Sequence, residues 1–267
     1  MNRRTTLAVL LAPLVVLAAD PPAKDVKVTG DPKQPAGVNW QGQVVRATGA
    51  GAPNMNASSP AQARLGAEKA ALLDAFRNLL AQVKGIQVSS SKTMNNLMEN
   101  TSVSARVEGL IKQYRVAGKR YFSDNGVEVD VEVPLALLTE VVDPDSAQQL
   151  GAIKTEGDKA NTGLVIDARG LKLTPALAPR VLGDDGKAVV YSVDTLSADA
   201  RRTTGVASYV ANIDDAKKTA KVGDKPLVVK ALKADGTDVL LAAEDTKKLK
   251  EINAGFLAEG RVVIVMN

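Results

Sequence analysis

Residues Ser59 to Val88, SPAQARLGAEKAALLDAFRNLLAQVKGIQV, constrain the fold of this chain more than any other stretch. They read as a long capped helix delivered straight into a strand. Ser59 is a natural N-cap, Pro60 suits the first helical position, and Gln62 sits where a capping box needs it. Leu65, Leu72, Phe76, Leu79, Leu80 and Val83 recur at helical spacing along one stripe. Lys69 projects close to that stripe and has to snorkel or meet a partner. The helix back is expected to carry the small residues Ala63, Ala67, Ala70 and Ala81, which permit close approach of a neighbour. Gly85 is expected to end the helix in the left-handed conformation.

The pattern around this helix is mixed. Gln43 to Thr48 reads as a strand, and Gly49 to Ser58 as a loop. Val103, Ala105, Val107, Gly109 and Ile111 alternate with polar partners and predict a second strand, continuing through Tyr114 and Val116. Ser123-Asp124-Asn125-Gly126 is a hairpin turn, since Asn-Gly tolerates the left-handed backbone it requires. Val127 to Val133 then alternates valine with Glu128, Asp130 and Glu132, predicting one face on a core and one in water. Pro134 stops it, and Leu135 to Val142 suits a short helix.

Beyond a polar stretch, Asp143 to Asn161, a second set of elements begins. Thr162 to Gly170 reads as a buried strand, and Arg180–Leu182 with Ala188–Val193 as a hairpin about Gly183-Asp184-Asp185-Gly186. Ser208 to Lys221 is expected to be helical. Leu227–Lys233 and Thr237–Leu241 pair about Ala234-Asp235-Gly236, Asp245 to Ala254 is helical, and Arg261 to Met266 closes as an apolar strand. The fold class is therefore α+β, with two small domains, each a mainly antiparallel sheet packed with one or two helices. The expected divisions are a signal peptide over 1–19, a flexible linker over 20–39, a first domain over 40–135, a connecting segment over 136–161 and a second domain over 162–267. The leader is read from Arg3 and Arg4 ahead of the apolar run Leu7–Leu17 and the small pair Ala18-Ala19. That run falls short of the ~20 residues that span a bilayer.

Composition narrows the chemistry. The chain contains no Cys and no His, so disulfide staples, thiol nucleophiles, imidazole bases and imidazole metal ligands are all excluded. Carboxylate pairs and Ser–Lys dyads remain. The charge is close to balanced at +4, and Arg3 and Arg4 leave with the leader. With 3% aromatic residues there is little to stack on bases, so nucleic acid is not an expected partner.

Ser89-Ser90-Ser91-Lys92 and Ser123-Asp124-Asn125 match two motifs of penicillin-recognising serine enzymes. The third, K-T-G, is met only by Lys218-Thr219-Ala220, and Ser89 follows an extended segment instead of opening a helix. Gly49-Ala50-Gly51 lacks the third glycine of a dinucleotide fingerprint, which would fall at Asn54. Glu128, Asp130 and Glu132 read as a solvated strand face, and Asp143/Asp145, Asp184/Asp185 and Asp214/Asp215 as turn formers or caps. Arg201-Arg202, Lys217-Lys218-Lys221 and Lys247-Lys248-Lys250 read as solvated faces, with binding to acidic surface polymers the minority reading. No catalytic, cofactor-binding or metal-binding residue is assigned, and the chain is read as a non-enzyme without a cofactor.

Residues Trp40 to Leu135 resemble the amino-terminal domain of the flagellar assembly protein FlgT, and the related family of FlgP and the twenty-kilodalton surface lipoprotein of Helicobacter. The resemblance rests on Ala63-Arg64, Ala67-Glu68, Ala70-Ala71-Leu72, Asp74-Ala75, Arg77, Leu79-Leu80, Val83 and Gly85. Val107-Glu108-Gly109 and the GVEVDVEVPL strand complete it. It implies an exported, non-enzymatic envelope protein, a structural or assembly factor like flagellar ring accessory proteins. Its expected place is the periplasm, peripheral to the outer membrane. Its expected partners are other envelope or flagellar proteins, or further copies in a homo-oligomer, with no transmembrane segment in the mature chain. The family is often lipid-anchored, and this chain lacks the Cys for that. The other reading is a periplasmic binding module for a cell-wall polymer or small ligand.

Overall fold

The computed structural model describes residues 36–142, 154–157 and 159–266. The expected leader, most of the linker and much of the connecting segment, with Asp143 and Asp145, lie outside the described residues. The fold is α+β, with two sheet-bearing regions. In the first, β1 (Gly37–Asn39) and β2 (Val44–Gly51) precede α1 (Pro60–Lys84). A small hairpin follows, β3 (Gln87–Ser89) and β4 (Lys92–Thr93), then α2 (Met94–Met98) and α3 (Thr101–Ile111). The long hairpin β5 (Arg115–Tyr121) and β6 (Val127–Pro134) leads into α4 (Leu135–Thr139). Four strands make an antiparallel sheet in the order β1-β2-β6-β5, with α1 lying on β2 and β6. Gly37–Asn39, expected to end a linker, is thus an edge strand. The Ser59 hydroxyl accepts from the Gln62 N–H at 3.2 Å, and Asn125 turns the hairpin at φ 68°.

The buried side of α1 is only partly the expected leucine stripe: Leu79 and Val83 belong to it, and the rest is alanine. Ala63, Ala67, Ala71, Ala75, Leu79 and Val83 are buried, whereas Leu65 and Leu73 are exposed and Leu72, Phe76 and Leu80 only partly covered. The cause lies in β2. A Cβ on Gly49 would fall 2.0 Å from the Ala75 nitrogen, and one on Gly51 would fall 1.9 Å from the Ala67 carbonyl oxygen. Helix and strand therefore meet backbone to backbone, which only glycine opposite alanine allows. Gly49-Ala50-Gly51 is strand, not flexible loop, and Ala63 and Ala67 face the sheet instead of a neighbour. Gly85 ends the helix at φ −77°, so the left-handed conformation is not used.

Val103 to Ile111 is also corrected, from strand to α3. These residues fit both periods: odd positions alternate, yet Val103, Val107, Leu110 and Ile111 share one helical face. Asn100 favours the helix as its N-cap, its Oδ1 accepting from the N–H groups of Ser102 at 2.9 Å and Val103 at 3.4 Å.

The second region opens with β7 (Gly163–Asp167), the hairpin β8 (Val181–Leu182) and β9 (Val189–Tyr191), then α5 (Ala198–Thr203). Ser208 to Lys221, expected to be one helix, divides into β10 (Ser208–Val210) and α6 (Ile213–Lys218), because Asn212 caps a new helix through the Asp215 N–H. The hairpin β11 (Pro226–Asp235) and β12 (Asp238–Leu241), α7 (Ala243–Glu251) and β13 (Val262–Val265) complete it. The seven-stranded sheet has the order β10-β13-β7-β11-β12-β8-β9. Its two hairpins are antiparallel, and the pairings β10–β13, β13–β7, β7–β11 and β12–β8 are parallel. Leu164-Val165-Ile166 and Val262-Val263-Ile264-Val265 are buried on both faces, as parallel strands require. Leu164, Ile166, Val262 and Ile264 point into the main core; Val165, Val263 and Val265 pack with Ala216 and Val222 beneath α6.

One continuous apolar core runs through both regions. The N–H groups of Leu177 and Ala178 donate to the carbonyls of Gln87 and Val88, each at 2.9 Å. Trp40 meets Tyr209 edge to face at 5.5 Å, and α4 packs on α5.

Candidate functional site

Two places concentrate polar groups in ways that solvation alone does not explain. The first is the outer face of β6. Two of its acids are not wet, Asp130 at 3% and Glu132 at 2% exposed, whereas Glu128 is partly exposed. Antiparallel register sets Arg46 of β2 and Arg115 of β5 opposite Glu132. Glu132 binds Arg46 at 2.8 Å and also pairs with Arg115. Arg120 spans Glu128 at 2.9 Å and Asp130 at 3.0 Å, and the Thr48 hydroxyl donates to Asp130 at 2.6 Å. Burial pulls the Asp130 carboxyl upward, but Arg120, Thr48 and Arg46 outweigh it and hold it below its usual value. The sequence signal was available in the arginines at 46, 115 and 120, but register alone brings them across from the acids. This ladder is internally paired, and it serves as a polar facing for the sheet. Among the described residues no group of three or more acids is placed to hold a metal ion.

The second place is a cavity of about 460 Å3 lined by α5, the turn after α6 and the loop into β13. Gly205 and Gly260 shape it. Both have positive φ, 67° and 69°, and a Cβ on Gly260 would fall 2.6 Å from the Gly205 carbonyl oxygen. Two glycines thus let the loop into β13 close against the end of α5. Ser197, Asp199, Thr203 and Thr204 come from the α5 side, Lys221 follows α6, and Glu259 and Arg261 precede β13. Lys217 and Lys218 are exposed, as the reading of a solvated face expected, but Lys221 turns inward. It lies past the C-cap Thr219 and just before the fully buried Val222, so it no longer shares the helix's outer face. Its Nζ donates to the Thr204 carbonyl at 3.0 Å and the Ser208 hydroxyl at 3.1 Å. Although the residue is partly exposed where it lines the cavity, desolvation pushes its pKa down to about 7.

Ser208 and Lys221 form a Ser–Lys pair, but the serine is 8% exposed and the cavity wall is Lys221, so the hydroxyl is not offered as a nucleophile. The serine-enzyme motifs fall apart in space. Ser89 to Lys92 forms the β3–β4 hairpin, whose Ser90 docks on the β11–β12 turn. Ser123 to Asn125 is the β5–β6 turn near the start of α1, where Arg64 donates to Asn125 at 3.1 Å. Lys218 and Thr219 end α6. Arg201 and Arg202 sit on α5, with Arg202 within 3.7 Å of Glu140 on the α4 side. Lys247, Lys248 and Lys250 are exposed on α7.

The fold and these two places define an α+β protein whose paired polar facing is structural and whose second region builds a polar cavity. Residues 163–267, the span from β7 to the end of the chain, match a family described as Treponema pallidum Tp0624, second domain. The match covers the second region alone. No curated protein matches this chain.

Proposed function

We propose that this chain is an exported, non-enzymatic envelope protein that works by protein contacts, as a structural or assembly factor resembling flagellar ring accessory proteins. The observation that carries the reading is the outward face of α1. Leu65 and Leu73 are 55% and 53% exposed there, and Tyr121 stands exposed beside the same helix. Tyr121 is fixed to α1, with its hydroxyl donating to Glu68 at 3.3 Å and the Arg64 guanidinium 5.8 Å over its ring. These exposed apolar groups, held out on a rigid element, support reading this face as an association surface. The occupant proposed is a second copy of this chain, since ring builders repeat one surface. The continuous core makes the two described regions one building unit. Among the described residues no helix is long and apolar enough to cross a membrane. A deletion strain scored for motility and basal-body morphology tests the flagellar assignment: defective rings support it, and normal swimming with intact motors contradicts it.

A second reading, a periplasmic binding module, is favoured by the Lys221 cavity. It leaves the first intact, because the cavity and the α1 face belong to different regions.

A further inference from the structure

The walls of the Lys221 cavity are of two chemical kinds. Lys221 and Arg261 bring positive charge, Asp199 and Glu259 negative charge, and Ser197, Thr203 and Thr204 lie among them. Arg261 is neutralised by Glu259, Nε to Oε2 at 2.6 Å. Lys221 is not neutralised. Its two hydrogen bonds go to uncharged oxygens, and among the described residues no carboxylate lies within ion-pair distance of it. An ammonium has three N–H donors, so one remains for a ligand. A desolvated cation without a counter-charge is a costly arrangement, and a bound anion supplies both the missing acceptor and the missing charge.

Asp199 decides which anion, since Glu259 is taken up by Arg261. A phosphate carrying nearly two charges would meet the Asp199 carboxylate in the same space more unfavourably than a carboxylate carrying one. The cavity is also too large for an ion alone, lying within the ~300–1,000 Å3 typical of small-molecule sites. Its hydroxyls and acids suit amide N–H groups and carbonyls next to a carboxylate. Resting on the binding-module reading, we propose that this cavity holds the carboxyl-terminal end of a short peptide, with the terminal carboxylate on Lys221 and the peptide's N–H donors toward Asp199.

The test is titration of the full chain with N-acetyl-alanyl-alanine, its carboxamide, and inorganic phosphate, using wild type, Lys221→Met, Lys221→Arg and Asp199→Asn. The acid is expected to bind at least tenfold more tightly than the amide or phosphate. Lys221→Met is expected to lose at least tenfold, and Lys221→Arg to retain most of the affinity. Binding also weakens as pH rises through the range where Lys221 loses its proton; the other charged groups lining the cavity are Asp199, Glu259 and Arg261. A thermal melt at each pH confirms that every variant is folded. Equal binding of acid and amide, tighter binding of phosphate, or no binding of the acid at millimolar concentration overturns the proposal. Co-sedimentation with purified cell-wall material separates the two levels. If it persists in Lys221→Met while the peptide titration is silent, this site is wrong and the binding-module reading stands; if it is absent in wild type too, both fall.

Discussion

The hydroxyls of Ser90 and Thr237 lie 2.9 Å apart, though 147 residues separate them in sequence. Ser90 also accepts from the Thr237 N–H at 3.1 Å and donates to the Asp235 carbonyl at 3.2 Å, so one side chain satisfies the tip of the β11–β12 turn. A Cβ on Gly236 would fall 2.9 Å from the Ser90 hydroxyl oxygen, which shows how closely the two hairpins approach. Ser90→Ala is expected to cost about 1–2 kcal/mol, the loss of hydrogen bonds to a part-buried turn. A double-mutant cycle with Thr237→Val should show coupling of about 0.5–1.5 kcal/mol by chemical denaturation. Additive effects would mean that the contact does not hold the regions together.

Gly51 and Gly66 make opposite predictions from one residue type. Gly51→Ala puts a methyl into the Ala67 carbonyl, and the backbone of α1 or β2 has to move. That overpacking costs about 1–3 kcal/mol. Gly66 is exposed in the middle of α1, with nothing within 4 Å of a Cβ. Gly66→Ala should stabilise by about 1 kcal/mol, because alanine restricts the unfolded chain and favours helix. Thermal melts of the two variants should move in opposite directions.

Glu132 compensates Arg46, which is 4% exposed, so Glu132→Gln leaves a buried cation with half its partner. Breaking such a pair costs about 3–5 kcal/mol. Asp130 adds a pH signature. Its carboxyl is held below the ordinary value, so its stabilising contribution is complete at neutral pH. That contribution is lost as pH falls from the unfolded value of about 3.9 through the lower folded one. Asp130→Asn should lower stability at neutral pH and flatten the acid limb of the stability curve below about pH 4.

Lys221 gives a slope of the same sign in a higher pH window, but from burial that disfavours its charged form instead of from partners that favour it. Burial lowers its pKa from 10.5 to about 7, so between those values the unfolded chain carries a proton that the folded chain has released. Stability attributable to this group therefore rises with pH across that window, by at most about 1.4 kcal/mol per unit. Burial pushes the hydroxyls of Tyr191 and Tyr209 upward, which opposes the trend above the ordinary tyrosine range of about 10. Lys221→Met should flatten the slope below that range and stabilise the protein at neutral pH. A slope unchanged by the substitution would mean that the ammonium is solvated.

Elements with a single readable period were legible in the sequence. The Ser59 cap, the Asn125-Gly126 turn, the β11–β12 hairpin and the closing apolar strand all fall where local chemistry places them. The failures share a physical cause. Which side of α1 is buried depends on Gly49 and Gly51 across the sheet, and a leucine stripe outranks an alanine one until the partner's shape is known. Val103 to Ile111 satisfied two periods at once, and a single Asn cap decided between them. Likewise, the β6 acids looked solvated because the arginines that neutralise them arrive through register, and Lys221 looked like part of a basic helix face until the chain turned after Thr219.

The proposed association of this chain uses the outward face of α1. The most direct measurement is analytical ultracentrifugation, with negative-stain imaging, of the full chain and of the Leu65→Asp/Leu73→Asp variant. Both side chains are exposed, so the variant should keep the wild-type melting temperature. Concentration-dependent oligomers or ring-like particles are expected for wild type and monomers for the variant. Monomeric wild type at high concentration, or oligomers that survive both substitutions, would contradict it.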